Sequence, residues 1–233
     1  DMYSIEEAGL LKFDFLGIRN LSILGDAIRL VKERHDVHID LDHIPLDDPK
    51  TFAMLARGET MGLFQLNGAG MTRYLKELRP TTIHDINAMV ALYRPGPMES
   101  IPEYIKRKYN PSTITYLDPR LKEILSMSYG VITYQDDVMM IAIHLAGYSW
   151  LDADKLRKAM GKKIPAEMQA QKEKLLKGFT EFGKLSKKSA DELWLLIEPF
   201  AAYGFNKCLT GDTRLVDTKT GIVMTIKESF EGN

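Results

Sequence analysis

The sequence predicts a mainly α chain with small β elements (α+β), and three observations carry that expectation. Apolar residues recur at helical spacing through most segments between residues 18 and 198. Segments with strand character are short and few. The phosphate-binding glycine loops of a doubly wound sheet (G-x-x-x-x-G-K-[ST] and G-x-G-x-x-G) do not occur, nor do paired cysteines for zinc.

Composition bounds the possibilities. The 233 residues suit one large domain or two small ones, and 45% hydrophobic with 27% charged residues is ordinary for a water-soluble globular chain. No apolar run is long enough for a membrane span, and the start lacks the basic and apolar regions of a secretory leader. An opening at Asp1 without an initiator Met reads as an internal or trimmed fragment. A single cysteine excludes an internal disulfide framework and points to a cytoplasmic compartment. The formal net charge of -1 conceals segregation, because residues 155 to 188 carry eleven Lys or Arg against three Glu while residues 36 to 48 are acidic. Such a stripe is either a face for a polyanion or a solvated helical surface.

The elements follow from local pattern. Gly9 to Gly17 reads as a short buried strand ending in a glycine turn, with Asp14 flanked by apolar residues. A buried aspartate needs a pairing partner, hydrogen bonds or a metal; simple alternation of faces, with Asp14 in water, is the other reading. Ile18 to Arg34 is an amphipathic helix with Leu21, Leu24, Ile28 and Val31 on one face. After a linker over 38 to 48, a helix runs from Pro49 to Ala56, a strand-like run from Thr60 to Leu66, and a helix from Met71 to Leu78. The next helix, Ile83 to Tyr93, must stop at Arg94-Pro95-Gly96-Pro97, since neither proline continues a helical ladder. A stiff turn there fixes the direction of Arg94, as bidentate phosphate recognition requires.

Ile101 to Tyr109 is a helix expected to expose Lys106, Arg107 and Lys108, and Val131 to Tyr134 reads as a small strand before a helix from Gln135 to Ala146. His144 on that apolar helix reads as a packed core residue rather than a catalyst. Helices are expected over Asp152 to Met160 and Ala166 to Phe182, broken by Gly161-Lys162-Lys163-Ile164-Pro165. A last helix capped by Ser186 or Ser189 runs to Glu198.

Six segments are specific enough to carry a resemblance. They are Lys12-Phe13-Asp14-Phe15-Leu16-Gly17, Gly62-Leu63-Phe64-Gln65-Leu66 and Met89-Val90-Ala91-Leu92-Tyr93-Arg94-Pro95-Gly96-Pro97. In order follow Tyr129-Gly130-Val131-Ile132-Thr133-Tyr134-Gln135, Leu156-Arg157-Lys158-Ala159-Met160-Gly161-Lys162-Lys163 and Ala202-Tyr203-Gly204-Phe205-Asn206-Lys207. Together, residues 8 to 207 closely resemble the C-family bacterial replicative polymerases, the DNA polymerase III alpha subunits. The resemblance implies that residues 1–36 are the C-terminal part of the palm and 37–207 the fingers. It implies a DNA-directed DNA polymerase that adds deoxynucleotides to a primer 3' end with two Mg2+ ions. Asp14 matches the third of three metal-holding palm aspartates, and a D-x-D pair upstream would supply the others, so the chain alone is expected to be inactive.

The resemblance also places Arg157, Lys158, Lys162 and Lys163 around the incoming triphosphate, with Arg94 and Lys207 as further members of the pocket. A basic cluster can neutralise phosphate charge in the transition state. The lysines from 172 to 188 face template or duplex, or form solvated helix surface; both readings stand. The implied partners are primer–template DNA, dNTP, the rest of the alpha subunit and replisome subunits such as the sliding clamp, in a cytoplasmic, nucleoid-associated setting without a membrane. A basic helical DNA-binding module without catalysis is the alternative.

After Lys207 the pattern changes. Cys208-Leu209-Thr210-Gly211-Asp212-Thr213-Arg214-Leu215 looks like the first block of an intein, which makes 208–233 the start of a Hint-type splicing domain. Thr213 to Val216 and Ile222 to Ile226 are expected as a hairpin. The Cys208 thiol is the candidate nucleophile for an N–S acyl shift onto the Lys207 carbonyl, with a C-terminal intein fragment as possible partner. The chain is then also half of a trans-splicing precursor, or a truncation within a continuous intein.

Overall fold

The computed structural model describes residues 4–10, 15, 17–162, 165–202, 204, 205, 207, 214–216 and 223–225. Asp14, Lys163 and Cys208 therefore lie outside the described residues, as does most of the expected palm strand; for Lys162 only the backbone is described.

The chain divides into two compact units, Asp1–Leu46 and Asp47–Asn233. In the first, the described α-helices are α1 (Ser4–Glu7) and α2 (Arg19–His35). The strand expected from Gly9 does not begin there, because the Leu10 N–H bonds back to the Ile5 carbonyl at 3.1 Å as the end of a helical turn. α2 forms where its periodicity predicts, yet none of its residues is buried.

The second unit is built from α3 (Pro49–Arg57), α4 (Ala69–Leu78), α5 (Ile83–Leu92), α6 (Ile101–Tyr109), α7 (Leu121–Leu125), α8 (Gln135–Ala146), α9 (Trp150–Lys162), α10 (Pro165–Glu181) and α11 (Lys187–Ile197). Local chemistry sets their ends. Asp48 caps α3 by accepting the Lys50 and Thr51 N–H groups at 3.2 and 3.0 Å, and Pro49 fills the first helical position. Ser186 caps α11 through the Ser189 N–H at 3.1 Å. Gly147 ends α8 in the left-handed region.

The core lies around α8. Val138, Ile141, Ala142 and Leu145 have no exposed surface, and α7, α9 and α10 pack against this helix. α10 contributes Leu175 and Phe179, and α11 adds Leu193, Trp194 and Ile197. The approach of α10 to α8 is close: a Cβ at Gly178 would lie 2.5 Å from the Ala146 carbonyl oxygen. No described helix is long and apolar enough to cross a membrane.

Three expectations of strand or break are corrected. Thr60 to Leu66 is a series of turns cinched onto α4, with the Thr60 and Thr72 hydroxyls 2.8 Å apart. Val131 to Tyr134 is not a strand; the Thr133 and Tyr134 N–H groups, which would need a neighbouring strand, both donate to the Asp137 carboxylate at 2.9 Å. α9 does not stop at Met160 but runs through Gly161 to Lys162, a glycine being tolerable at a helix end. Mainly helical character stands. Two three-residue strands, β1 (Arg214–Val216) and β2 (Val223–Thr225), pair antiparallel with Leu215 opposite Met224.

Candidate nucleotide and nucleic-acid site

The start of α8 is where three of the six segments meet. The first is the turn at Tyr129 and Gly130, both of positive φ. Arg107 of α6 holds it, donating from Nη1 to the Tyr129 and Gly130 carbonyls at 3.2 and 3.0 Å while Nε donates to Glu103 at 2.7 Å. Beyond the turn, the Asp137 carboxylate gathers the Thr133 and Tyr134 amides. Burial pushes Asp137 up to about 6, although those two N–H donors pull the other way.

The C-terminal segment lies across this helix start. The Gln135 N–H donates to the Phe205 carbonyl at 2.9 Å, and the Lys207 N–H donates to the Asp136 carboxylate at 2.9 Å. Gly204 is pressed against Gln135, whose Cβ lies 3.3 Å from where a Cβ on the glycine would stand. Lys207 Nζ reaches over the Tyr134 ring at 5.8 Å from its centroid.

Arg94 completes the group. Its guanidinium stacks over Phe205 with Cζ 4.5 Å from the ring centroid, and its Nε is buried without a hydrogen-bond partner among the described residues. The turn that carries it is fixed as expected. Gly96 has φ 93° and approaches so closely that a Cβ there would meet the Pro199 carbonyl oxygen at 2.7 Å.

Of the expected pocket members, Arg94 and Lys207 thus come together through Phe205 and the start of α8. Arg157 and Lys158 form a separate group: both pair with Asp154 on the same helix, at 2.7 and 2.8 Å. These hydrogen bonds hold the Asp154 carboxyl below its usual range, Lys158 contributing most and Arg157 next. α9 packs on the 3-10 turn Glu198–Ala202, directly before the Gly204–Lys207 segment.

Two expectations about individual residues are corrected. Lys108 is not exposed: its side chain is 8% accessible and pairs with Asp85, itself 1% accessible, at 2.8 Å. Arg107 is likewise held inward, and of the three basic residues on α6 Lys106 alone reaches solvent freely, at 60%. His144 faces outward and is exposed rather than packed, because Ile141, Ala142 and Leu145 take the core side of α8.

Sequence reasoning missed Asp85. Its carboxylate also accepts the Thr81 N–H at 2.9 Å and the Tyr104 hydroxyl at 3.3 Å, while Lys108 Nζ reaches the Arg79 carbonyl at 3.0 Å. The available signal was Thr82 three residues before Asp85, a capping pair at the start of α5.

Among the described residues no group of three or more His, Cys, Asp or Glu comes together as a metal site. Residues 20–183 match the family described as the bacterial DNA polymerase III alpha subunit finger domain. The DNA polymerase III subunit alpha of Thermus aquaticus is 46% identical over 228 residues, 96% of this chain and 19% of that protein. Its counterpart from Halalkalibacterium halodurans is 47% identical over 206 residues, 88% of this chain and 18% of that protein. That from Aquifex aeolicus is 46% identical over 209 residues, 89% and 18% of the respective chains. This chain spans about a fifth of the relatives it matches.

Proposed function

Because the chain belongs to the finger-domain family of the bacterial DNA polymerase III alpha subunit, we propose that it holds the incoming deoxynucleoside triphosphate and the template in a DNA-directed DNA polymerase. The supporting observation is the convergence of Arg94, Phe205 and Lys207 on the start of α8. Arginine and lysine fixed by backbone contacts suit the binding of phosphate charge with little reorganisation. Arg157, Lys158, Lys162 and Lys163 extend the pocket. Asp154 keeps the first two extended along α9, and exchange of Asp154 for a phosphate is a low-cost step at a partly exposed ion pair.

Asp14 is assigned to the metal chemistry as one of three carboxylates that hold two Mg2+ ions in the assembled enzyme. Those ions would activate the primer hydroxyl and steady the leaving pyrophosphate. The residues of this chain derived above bind and orient phosphates. In this reading residues 1–36 end the palm and 37–207 form the fingers, with primer–template, dNTP, the rest of the alpha subunit and replisome subunits including the sliding clamp as partners. The alternative, a basic DNA-binding module without catalysis, shares the charge distribution but has no use for a fixed arginine beside Phe205. In the full-length polymerase, Arg94→Ala and Lys162→Ala should each raise the nucleotide KM or lower kcat, while primer–template affinity persists. Unchanged kinetics in both variants would sink the pocket.

A second reading concerns the tail. Cys208 is proposed as the first residue of an intein, supported by the block from Cys208 to Leu215 and compatible with a hairpin of β1 and β2. The alignment with the Thermus relative covers 96% of the chain and so passes Lys207, which makes uninterrupted polymerase sequence the competitor. Mass spectrometry of the mature polymerase, cleaved at glutamates, separates the two through the peptide beginning at Leu193, since the Glu198–Pro199 bond resists cleavage. Lys207 joined to a residue other than Cys208 means splicing; Lys207-Cys208-Leu209 retained in the mature pool removes it.

A further inference from the structure

We propose that the cleft between the Gly62–Leu66 turns and the Arg94 corner is a subsite for one unpaired nucleobase. This deepens the reading of the chain as polymerase fingers and rests on it. The cleft has a volume of about 190 Å³ and is lined by Gln65, Met71, Val90, Tyr93 and Arg94. Pockets that enclose whole small molecules run to roughly 300–1,000 Å³, so this one suits a single ring system rather than a complete nucleotide.

The lining decides between a base and a phosphate. Met71, Val90 and Tyr93 form apolar walls, with Met71 only 2% accessible. Inside the cleft a phosphate would lose its hydration against those walls with a single guanidinium in return, so the phosphate contact proposed for Arg94 lies outside it. A base would bury its ring against them and present acceptors at its edge. Arg94 lines the cleft, and its guanidinium is a donor for a carbonyl oxygen or ring nitrogen at that edge. Stacking on Phe205, with the Arg94 N–H bonded to the Leu92 carbonyl at 2.7 Å, holds that donor in place before any ligand arrives.

Gln65 lines the same cleft. Its φ is 61°, a left-handed conformation that glycine would adopt without strain. A side chain held at such a position is a pointer to function. Its amide both donates and accepts, as the edge of a base requires. The turn is secured independently of any ligand, since the Thr72 hydroxyl lies 2.8 Å from that of Thr60 and donates to the Leu66 carbonyl at 3.4 Å.

The base could come from the template strand or from a free nucleotide, and 2-aminopurine distinguishes them. The test uses the full-length polymerase subunit at concentrations where anisotropy of a labelled primer shows the DNA fully bound. With 2-aminopurine as the first unpaired template base, emission should rise as the probe leaves the stack. Gln65→Ala and Gln65→Gly should both lose that rise; the glycine variant keeps the turn relaxed, so a folding defect does not imitate the result. A rise with 2-aminopurine deoxynucleoside triphosphate alone, abolished by the same variants, assigns the pocket to the incoming base instead. An emission change indifferent to both substitutions, or no change from either probe on fully bound DNA, overturns the subsite and leaves the polymerase reading intact. Failure of the DNA to bind at all overturns both.

Discussion

Asp85 and Lys108 show how much one buried pair organises. Lys108 ends α4 by donating to the Leu78 and Arg79 carbonyls, and its partner Asp85 begins α5 by accepting the Thr81 and Thr82 amides. Burial pushes Asp85 upward, but the Lys108 hydrogen bond and the Thr81 amide outweigh it and hold the carboxyl below its ordinary range. Removing one partner strands the other without compensation, so Lys108→Met should cost about 3–5 kcal/mol in urea unfolding. Asp85→Asn combined with Lys108→Met should recover part of that loss; strictly additive losses would show that the pair is not coupled. A depressed folded pKa gives stability that is present above the unfolded value and lost as pH falls through the folded one. Asp137 has the opposite sign. Raised by burial to about 6, it favours the fold fully below its unfolded pKa of about 3.9, and that contribution disappears as pH rises through 6. Carbon-13 NMR should find its carboxyl titrating near 6, and Asp137→Asn should flatten stability between those limits. An Asp137 that titrates as an ordinary aspartate would refute the assignment.

At the scale of elements, the α8–α10 crossing depends on a residue without a side chain. A Cβ on Gly178 would come within 2.7 Å of the Ala146 Cβ as well as crowding its carbonyl. Alanine at this interior helical position gains about 1 kcal/mol of propensity, yet overpacking costs about 1–3 kcal/mol. Gly178→Ala should therefore lower Tm; a higher Tm would mean the two helices can separate at little cost. The same elements show what the sequence made legible. α6 and α8 were expected at their observed bounds because proline, glycine and apolar spacing act within a few residues. Val131 to Tyr134 misled because its backbone amides are satisfied by a carboxylate three or four residues on, which strand patterning does not reveal. Lys108 misled for another reason: its partner is 23 residues away, so a basic residue at a helix end reads as exposed. Arg94 was legible as a fixed arginine from its two prolines. Its stacking on Phe205 was not, since nothing local joins residues so far apart in sequence.

Across the whole molecule, the basic stripe of residues 155 to 188 is less free than its composition suggests. Arg157 and Lys158 pair with Asp154, Lys174 pairs with Asp152 at 2.6 Å, and Lys188 lies 3.8 Å from Glu192. Lys172 sits over the Trp194 ring. Lys184 and Lys187 are exposed and have no ion-pair partner among the described residues. They flank Leu185 and Ser186 between α10 and α11, and Lys184 is itself fixed at φ 59°. Cations already neutralised within the fold release few counterions when DNA binds, whereas free ones release nearly one each. In the full-length polymerase, replacing Lys184 and Lys187 together by alanine should reduce the slope of log K against log salt by about 1 per lysine. Lys174→Ala should leave the slope unchanged, because its charge is committed to Asp152 and to the Tyr148 ring 4.6 Å away. If the double variant keeps the original slope, these two lysines belong to solvent. The proposed DNA contacts then fall to other cations, among them the Arg94, Lys207 and α9 groups.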